Sequence, residues 1–204
     1  MKLEREAIVD AAIKLLDEVG LDGLSMRRLA KDLDVQAPAL YWHFKNKQEL
    51  LDHMLVAMST EELRVPRPGQ PWDEWLVERT TRLYRGLGEH RDAARLAAST
   101  RPTPDLLPGI EAMVSALTTA GFTPAESLHS ILAISNFVTG SALEREGTRE
   151  HGDGAIPDVT PFPLLRTATA SGLDPDVVFD HGLRILVGGM RAILTERGHY
   201  GQNV

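Results

Sequence analysis

Residues 19–47 read VGLDGLSMRRLAKDLDVQAPALYWHFKNK, and this stretch decides the expected fold. Ser25 is a good helix N-cap, and apolar residues follow it at three- and four-residue steps. Residues 34–35 then form a short turn, and the next helix is expected over 37–43, where Pro38 is tolerated in the first turn. Two short helices joined by a tight turn are the skeleton of a helix-turn-helix.

The flanking segments complete a small unit at the front of the chain. Residues 4–19 carry one apolar stripe, and Gly20 is expected to cap that helix. Asn46-Lys47-Gln48-Glu49 has the form of a capping box and predicts a further helix that fades near Leu63. We therefore predict a three-helix head over residues 1–47, followed by a connecting helix over residues 48–63.

The rest of the chain is expected to form a second, larger helical domain over residues 48–204. Residues 65–71 contain three prolines and are the clearest linker, because proline cannot continue a helix. Later segments again show helical periodicity, except residues 147–161, which are predicted to form a mobile loop. Because no segment reads as a strand, the predicted fold is all-α.

Composition excludes several classes of protein. The chain has no cysteine, which excludes disulfides, thiol catalysis and cysteine-based zinc sites. No apolar run is long enough to span a bilayer, and the N-terminus does not read as a secretory signal. We therefore expect a cytoplasmic protein with no membrane partner.

Charge is distributed unevenly. All five lysines lie in the first 47 residues, where eight basic residues balance eight acidic ones. The net charge of −7 therefore resides in the remainder of the chain. A locally basic patch on an acidic protein is typical of a small DNA-reading head on a larger body, although chance bias in a surface helix would look similar.

The head contains residue types suited to each part of DNA recognition. Phosphate binding needs cations near the helix ends. Hydroxyl and amide groups that donate to the DNA backbone fix the register of the protein on the duplex. Short side chains at the start of the reading helix allow it to enter the major groove. The candidates for these roles are Ser25, Arg27, Arg28, Gln36, Ala37, Pro38, Ala39, Tyr41, Lys45 and Lys47. We expect Trp42 and Phe44 to brace the head.

At these residues the sequence closely resembles the DNA-binding head of the tetracycline repressor (TetR) family. The resemblance is carried by residues 19–30, 33–35 and 38–47, and it continues more loosely into that family's regulatory body. The matching body positions are Trp72, 90–92, 100–103, 121–122, Phe137, Gly140, 143–144 and 163–166.

The resemblance implies a homodimer whose helical body holds a small-molecule pocket. It also implies that ligand binding moves the two heads, so that their reading helices no longer match successive major grooves. By position, it places DNA contacts on Arg27, Ala37, Pro38, Ala39, Tyr41 and Lys47. Asp34 stands where the family usually has glycine, which predicts weaker DNA binding or an altered turn.

The resemblance also implies an effector other than magnesium–tetracycline. Ala97 occupies the position of the family's metal-ligating histidine, and Leu63, Arg79, Leu83 and Met113 replace polar drug contacts, whereas Glu144 is retained. Thr100 and Asn136 complete the candidate pocket. We expect an apolar or amphipathic inducer with an acidic group for Arg79, and no metal or other cofactor.

Two helices predict dimerisation on physical grounds. Residues 124–146 and 175–196 are apolar around most of their circumference, so each needs two buried faces rather than one. Gly188 and Gly189 lower helix propensity by roughly 1 kcal/mol each, which close approach of a partner backbone would explain. The alternative is a helix buried centrally within one subunit. A two-fold dimer predicts a palindromic operator in double-stranded DNA.

Two other functions remain open at this stage. One is a DNA-binding dimer that responds to no ligand. The other is a helical metalloenzyme, because Glu126 and His129 form a Glu-x-x-His on one helix, although di-iron bundles need two such motifs. Since no nucleophile elbow or phosphate loop is present, we expect no catalytic residue.

Overall fold

The computed structural model describes residues 4–58, 65–100, 104–151, 158–170 and 172–200. Within these ranges the chain is helical and contains no strand, which confirms the all-α prediction. The helices are α1 (Arg5–Gly23), α2 (Met26–Asp32), α3 (Ala37–Tyr41), α4 (Lys47–Met58), α5 (Trp72–Leu87), α6 (Ala93–Ser99), α7 (Leu107–Thr119), α8 (Pro124–His151), α9 (Pro163–Ala168) and α10 (Pro175–Tyr200), with a 3-10 turn at Pro104–Leu106.

The head forms around one apolar core. α1, α2 and α3 enclose it, and α4 closes it with Leu50, Leu51 and Met54. The regular helix breaks at Gly20, the predicted cap, whose φ of 72° is non-helical. After this kink the chain makes one more turn to Gly23, so α1 as a whole extends to that residue. Because glycine has no Cβ, it can adopt this left-handed conformation without strain.

The body packs around α8, which contacts α5, α6, α7 and α10. Its buried centre includes Trp75 of α5, Leu117 of α7, Val138 of α8 and Phe179 of α10. The two cores meet at α4 and α6, since Leu96 of α6 lies in the head core and Met58 of α4 packs against both. The domain boundary at residues 47–48 stays a prediction.

Several predicted boundaries require correction. α3 ends at Tyr41 rather than at residue 43. α8 continues to His151, so the predicted loop 147–161 is wrong for residues 147–151, and residues 152–157 lie outside the described part of the chain. α10 continues to Tyr200 rather than ending at residue 196. Leu63 and the predicted end of the connecting helix also lie outside the described residues.

Candidate DNA-binding and effector sites

The α2–turn–α3 unit is built from local hydrogen bonds. The Ser25 hydroxyl accepts the Arg28 N–H at 3.2 Å and caps α2, as predicted. Asp34 takes the left-handed conformation itself, with φ 53°. Aspartate tolerates this region better than most residues, so the turn forms without glycine. The Asp34 side chain is exposed.

The aromatic segment splits between the core and the surface. Phe44 is fully buried with Leu40, so it braces the head as expected. The same expectation is wrong for Trp42, whose side chain is 89% exposed, while Tyr41 is 51% exposed. The spacing contained this information, because Leu40 and Phe44 are one helical turn apart and Trp42 lies midway between them, on the opposite side.

The structure places the candidate DNA contacts on α2, α3 and the adjoining turns. Most are exposed, namely Ser25, Arg27, Arg28, Gln36, Pro38, Tyr41 and Lys45. Ala37, Ala39 and Lys47 are half-buried. The Lys47 ammonium donates to the Leu21 carbonyl at 3.4 Å, so it is held at the start of α4 beside the end of α1. Trp42 joins this set as a candidate that sequence reasoning missed.

The candidate effector residues fall into two groups. Leu83, Ala97 and Met113 belong to the apolar centre of the body, and Arg79 is half-buried one turn before Leu83 on α5. The Thr100 hydroxyl is used locally, donating to the Leu96 carbonyl at 2.7 Å. Asn136 and Glu144, by contrast, are exposed on α8 and are not brought to that centre by a single chain.

Cavities lined by described residues border the body near the ends of α5 and α8. One of about 210 Å³ lies between the end of α5 and the end of α8 and is lined by Leu87, Gly88, Glu89, His90, Arg91, Ala142, Arg145 and Glu146. A more open groove of about 640 Å³ is lined by Met58, Glu78, Thr81, Arg82, Arg85, Gly86 and Glu89. Neither is lined by the candidate effector residues.

Ala97 and the Glu126–His129 pair are the positions at which the sequence raised the question of a metal ligand. Ala97 offers no ligand atom, and the described residues contain no group of three His, Asp or Glu side chains that could hold a metal ion. Glu126 is occupied as a helix cap, since its carboxylate accepts the N–H and hydroxyl of Thr123 at 2.9 and 2.8 Å. The Glu126–His129 pair is therefore explained as the start of α8.

A buried aspartate joins the head to the body. Asp92, 6% exposed, lies between α5 and α6 and accepts the Leu21 N–H of α1 at 2.7 Å. It also accepts a hydrogen bond from Arg95 at 2.9 Å, and its own N–H donates to Glu146 of α8 at 2.6 Å. Burial alone raises the pKa of Asp92, but these donors more than offset it, so the pKa lies below its usual value.

A stack of rings ties together α5, α8 and α10. Tyr84 stacks on Phe179 with centroids 3.8 Å apart, and Phe137 stacks on the same ring at 5.4 Å. The Arg145 guanidinium lies over Tyr84 at 5.0 Å, and Asp176 accepts the Tyr84 hydroxyl at 2.9 Å. These contacts hold the three helices in one arrangement.

The long helices α8 and α10 each leave apolar side chains uncovered in a single chain. Leu128 and Leu132 are exposed on α8, and Val178 and Ile185 on α10, with Ile185 61% exposed. A Cβ at Gly188 or Gly189 would have no atom within 4 Å. The alternative of a helix buried wholly within one subunit is therefore wrong for this face of α10.

The sequence matches two family models along most of its length. Residues 8–54 match the model for bacterial regulatory proteins of the tetR family, and residues 65–194 match the tetracyclin repressor-like C-terminal domain. The described residues include no helix long and apolar enough for a membrane span.

Individual relatives agree with these matches. The class C tetracycline repressor of Escherichia coli is 36% identical over 199 residues, covering 93% of this chain and 91% of the relative. The solved TetR of Acinetobacter baumannii AYE is 35% identical with a TM-score of 0.76, covering 95% of this chain and 99% of that one. ActR of Streptomyces coelicolor, solved with actinorhodin, is 33% identical with a TM-score of 0.76, covering 94% and 98%.

Proposed function

This chain belongs to the TetR family of bacterial regulatory proteins, and we propose that it is a homodimeric repressor released from a palindromic operator by a small molecule other than magnesium–tetracycline. It acts in the cytoplasm and catalyses no reaction. The observation that carries the proposal is the construction of α3 and the residues directly after it, where Leu40 and Phe44 are buried and Tyr41 and Trp42 are exposed.

The reading surface has two kinds of contact. Gln36, Ala37, Pro38 and Ala39 begin α3 with short or polar side chains, which suits close approach to base edges and thymine methyl groups in the major groove. Arg27, Arg28, Lys45 and Lys47 flank this helix and supply charge for phosphates. Tyr41 and Trp42 extend the same surface beyond the last turn.

The second subunit is required by the apolar faces of α8 and α10. Association through these helices covers Leu132, Val178 and Ile185, which a single chain leaves in water at an unfavourable free energy of roughly 25 cal/mol per Å². Gly188 and Gly189 permit the backbones to approach closely. A two-fold pair presents two copies of α3 about one DNA turn apart, roughly 34–36 Å.

The effector pocket lies beside the apolar centre of the body. Leu83, Ala97 and Met113 give this region its apolar lining, and half-buried Arg79 offers a cation to an acidic group. Thr100 lies at the end of α6 beside this region, and Leu63 is a proposed contact outside the described residues. Asn136 and Glu144 are exposed on α8 in a single chain, so their proposed polar contacts require the second subunit. We assign the pocket to an amphipathic ligand with an acidic group, because the region is apolar apart from the Arg79 cation.

Selection of duplexes from a random library tests the DNA-binding function. We expect enriched duplexes with an inverted repeat, bound by a dimer in sedimentation. Absence of any enriched sequence at low salt would contradict the proposal. Tetracycline added to this complex, with and without Mg²⁺, should leave the DNA bound, whereas release at nanomolar concentration would contradict the assignment of the effector.

The anionic dye 8-anilinonaphthalene-1-sulfonate tests the role of Arg79, because it combines an apolar body with one negative charge. We expect Arg79→Ala to weaken dye binding several-fold, and Arg82→Ala, an exposed cation on the same helix, to leave it unchanged. Equal dye binding by all three proteins would contradict a cationic pocket at Arg79. If small molecules do not alter the affinity of the dimer for DNA, the result favours the alternative of a DNA-binding dimer that responds to no ligand.

A further inference from the structure

Besides the apolar packing of α4 against α6, the head contacts the body at the kink of α1, where most of the polar contacts are exposed. Asp17 of α1 accepts from His90 at 3.0 Å and from the Arg91 N–H at 3.0 Å. Arg95 reaches Asp22, whose side chain is 86% exposed. Exposed ion pairs contribute little because water screens them. Such contacts alone do not fix an angle between two rigid parts.

Asp92 differs from these neighbours in burial and in connectivity. Its carboxylate is bonded to the Leu21 N–H in the head, and its backbone N–H is bonded to Glu146 near the end of α8. Aspartate before a helix usually caps that helix, but this carboxylate makes no such cap for α6. Asp92 also holds a left-handed backbone with φ 56°, a conformation that aims its side chain at α1 instead.

The opposite side of the contact is equally constrained. Gly20, at the kink, has φ 72°, and a Cβ there would lie 2.7 Å from the Asp92 Oδ2. Any side chain at residue 20 would therefore push the two parts apart. The kink exposes the N–H of the next residue, Leu21, to Asp92. Two unusual backbone conformations, one in each part, thus meet at one hydrogen bond.

We propose that Asp92 is a positioning residue for operator binding, which fixes the angle of the head relative to the body by joining the kink of α1 to the end of α8. This inference rests on the proposed DNA-binding function. Both heads of a dimer must hold a fixed angle to enter successive grooves together, whereas phosphate contacts with random DNA tolerate a variable angle. Asp92 therefore supports the preference for the operator more than DNA affinity in general.

The chain contains no cysteine, so two fluorescent labels can be introduced cleanly. Ala7→Cys on α1 and Ser115→Cys on α7 are both exposed and report the distance from head to body. Labelled protein diluted into unlabelled protein restricts the energy transfer to one subunit. In this background we compare the parent with Asp92→Ala, Gly20→Ala, Arg95→Ala and Gly69→Ala.

Asp92→Ala, which removes both carboxylate acceptors, and Gly20→Ala should broaden the single-molecule transfer distribution. They should also lower affinity for a library-selected duplex about tenfold, with less than a twofold change for random DNA. Gly69→Ala is the matched control for backbone strain, because Gly69 has φ 79° but no atom within 4 Å of its Cβ position. Arg95→Ala removes the ion pairs with Asp92 and Asp22 and leaves the Leu21 bond, so it should retain the parent distribution and affinity.

A lowered unfolding midpoint with unchanged transfer distributions and an unchanged affinity ratio would overturn the proposal, because Asp92 would then have only a structural role. An Arg95→Ala protein as impaired as Asp92→Ala would overturn the role of the Leu21 bond. If the parent prefers no duplex, the proposed function fails, and the transfer distributions still decide for or against Asp92.

Discussion

The head and the body solve the problem of burying apolar surface in different ways. The head encloses Ile8, Leu29, Leu40 and Phe44 almost completely within one chain. The body buries Trp75 and Phe179 equally well, yet α8 and α10 still present apolar side chains to water. A part with a complete core needs no partner to fold, whereas the body is expected to reach its full stability only as a pair.

The largest expected effect comes from opening the head core. Phe44→Ala should lower the free energy of unfolding by about 3–5 kcal/mol, because it removes a fully buried ring. The head should then lose DNA binding while the body remains dimeric. Denaturant unfolding and sedimentation measure the two effects. Trp42→Ala, an exposed neighbour, should change stability by less than about 0.5 kcal/mol, and an equal loss would contradict this assignment of core and surface.

The next effect concerns the face left open on the body. Ile185→Asp should raise the dimer dissociation constant by about 100-fold or more, because a buried, unpaired charge enters the interface twice. Helix content measured by circular dichroism should be retained. Val65→Asp introduces the same charge at an exposed linker position and should leave the dimer intact. A dimer unaffected by Ile185→Asp would show that this face is not the interface.

A smaller effect is expected at the DNA surface. Lys47→Ala should weaken binding to all duplexes alike and reduce the salt slope, d log K/d log [salt], by about 0.9 for one phosphate contact. Tyr41→Ala should likewise weaken binding to all DNA sequences, because it removes a contact with the DNA backbone. Lys14→Ala removes an exposed cation elsewhere on α1 as a control. An unchanged affinity and slope for both Lys47→Ala and Tyr41→Ala would contradict the placement of the head on DNA.

The smallest expected effect concerns how the stability of the body depends on pH. Burial by itself raises the pKa of Asp73 on α5. The hydrogen bonds from Arg191 of α10 and from backbone N–H groups, together with the Arg191 charge, more than offset burial, so the folded pKa is lowered. The stability from this pair is therefore present above the unfolded pKa of about 4 and lost as pH falls through the folded value. Asp73→Asn should remove less than about 1 kcal/mol at pH 7 and flatten the fall in stability below pH 4. If the free energy of unfolding fell equally below pH 4 in both proteins, the Asp73–Arg191 pair would be excluded as the cause of that fall.

The parts that could be predicted share a local cause. Ser25 caps α2 and Thr123 with Glu126 caps α8, because each signal needs only residues three positions apart. The same holds for the assignment of Phe44 to the core and for the break of α1 at Gly20. The error at the end of α8 has the opposite origin. α8 continues through Gly147 to His151, because the low helix propensity of glycine is a weak local signal that the surrounding structure overrides.

The sequence by itself determined the all-α class, the helix-turn-helix and the cationic residues that flank α3. These depend on side-chain periodicity and hydrogen bonds within one turn, which neighbouring residues supply. Only the tertiary structure decided that Asp92 bonds to a residue 71 positions earlier in the chain. It likewise decided which faces of α8 and α10 stay open, because burial depends on what the whole chain brings to each surface.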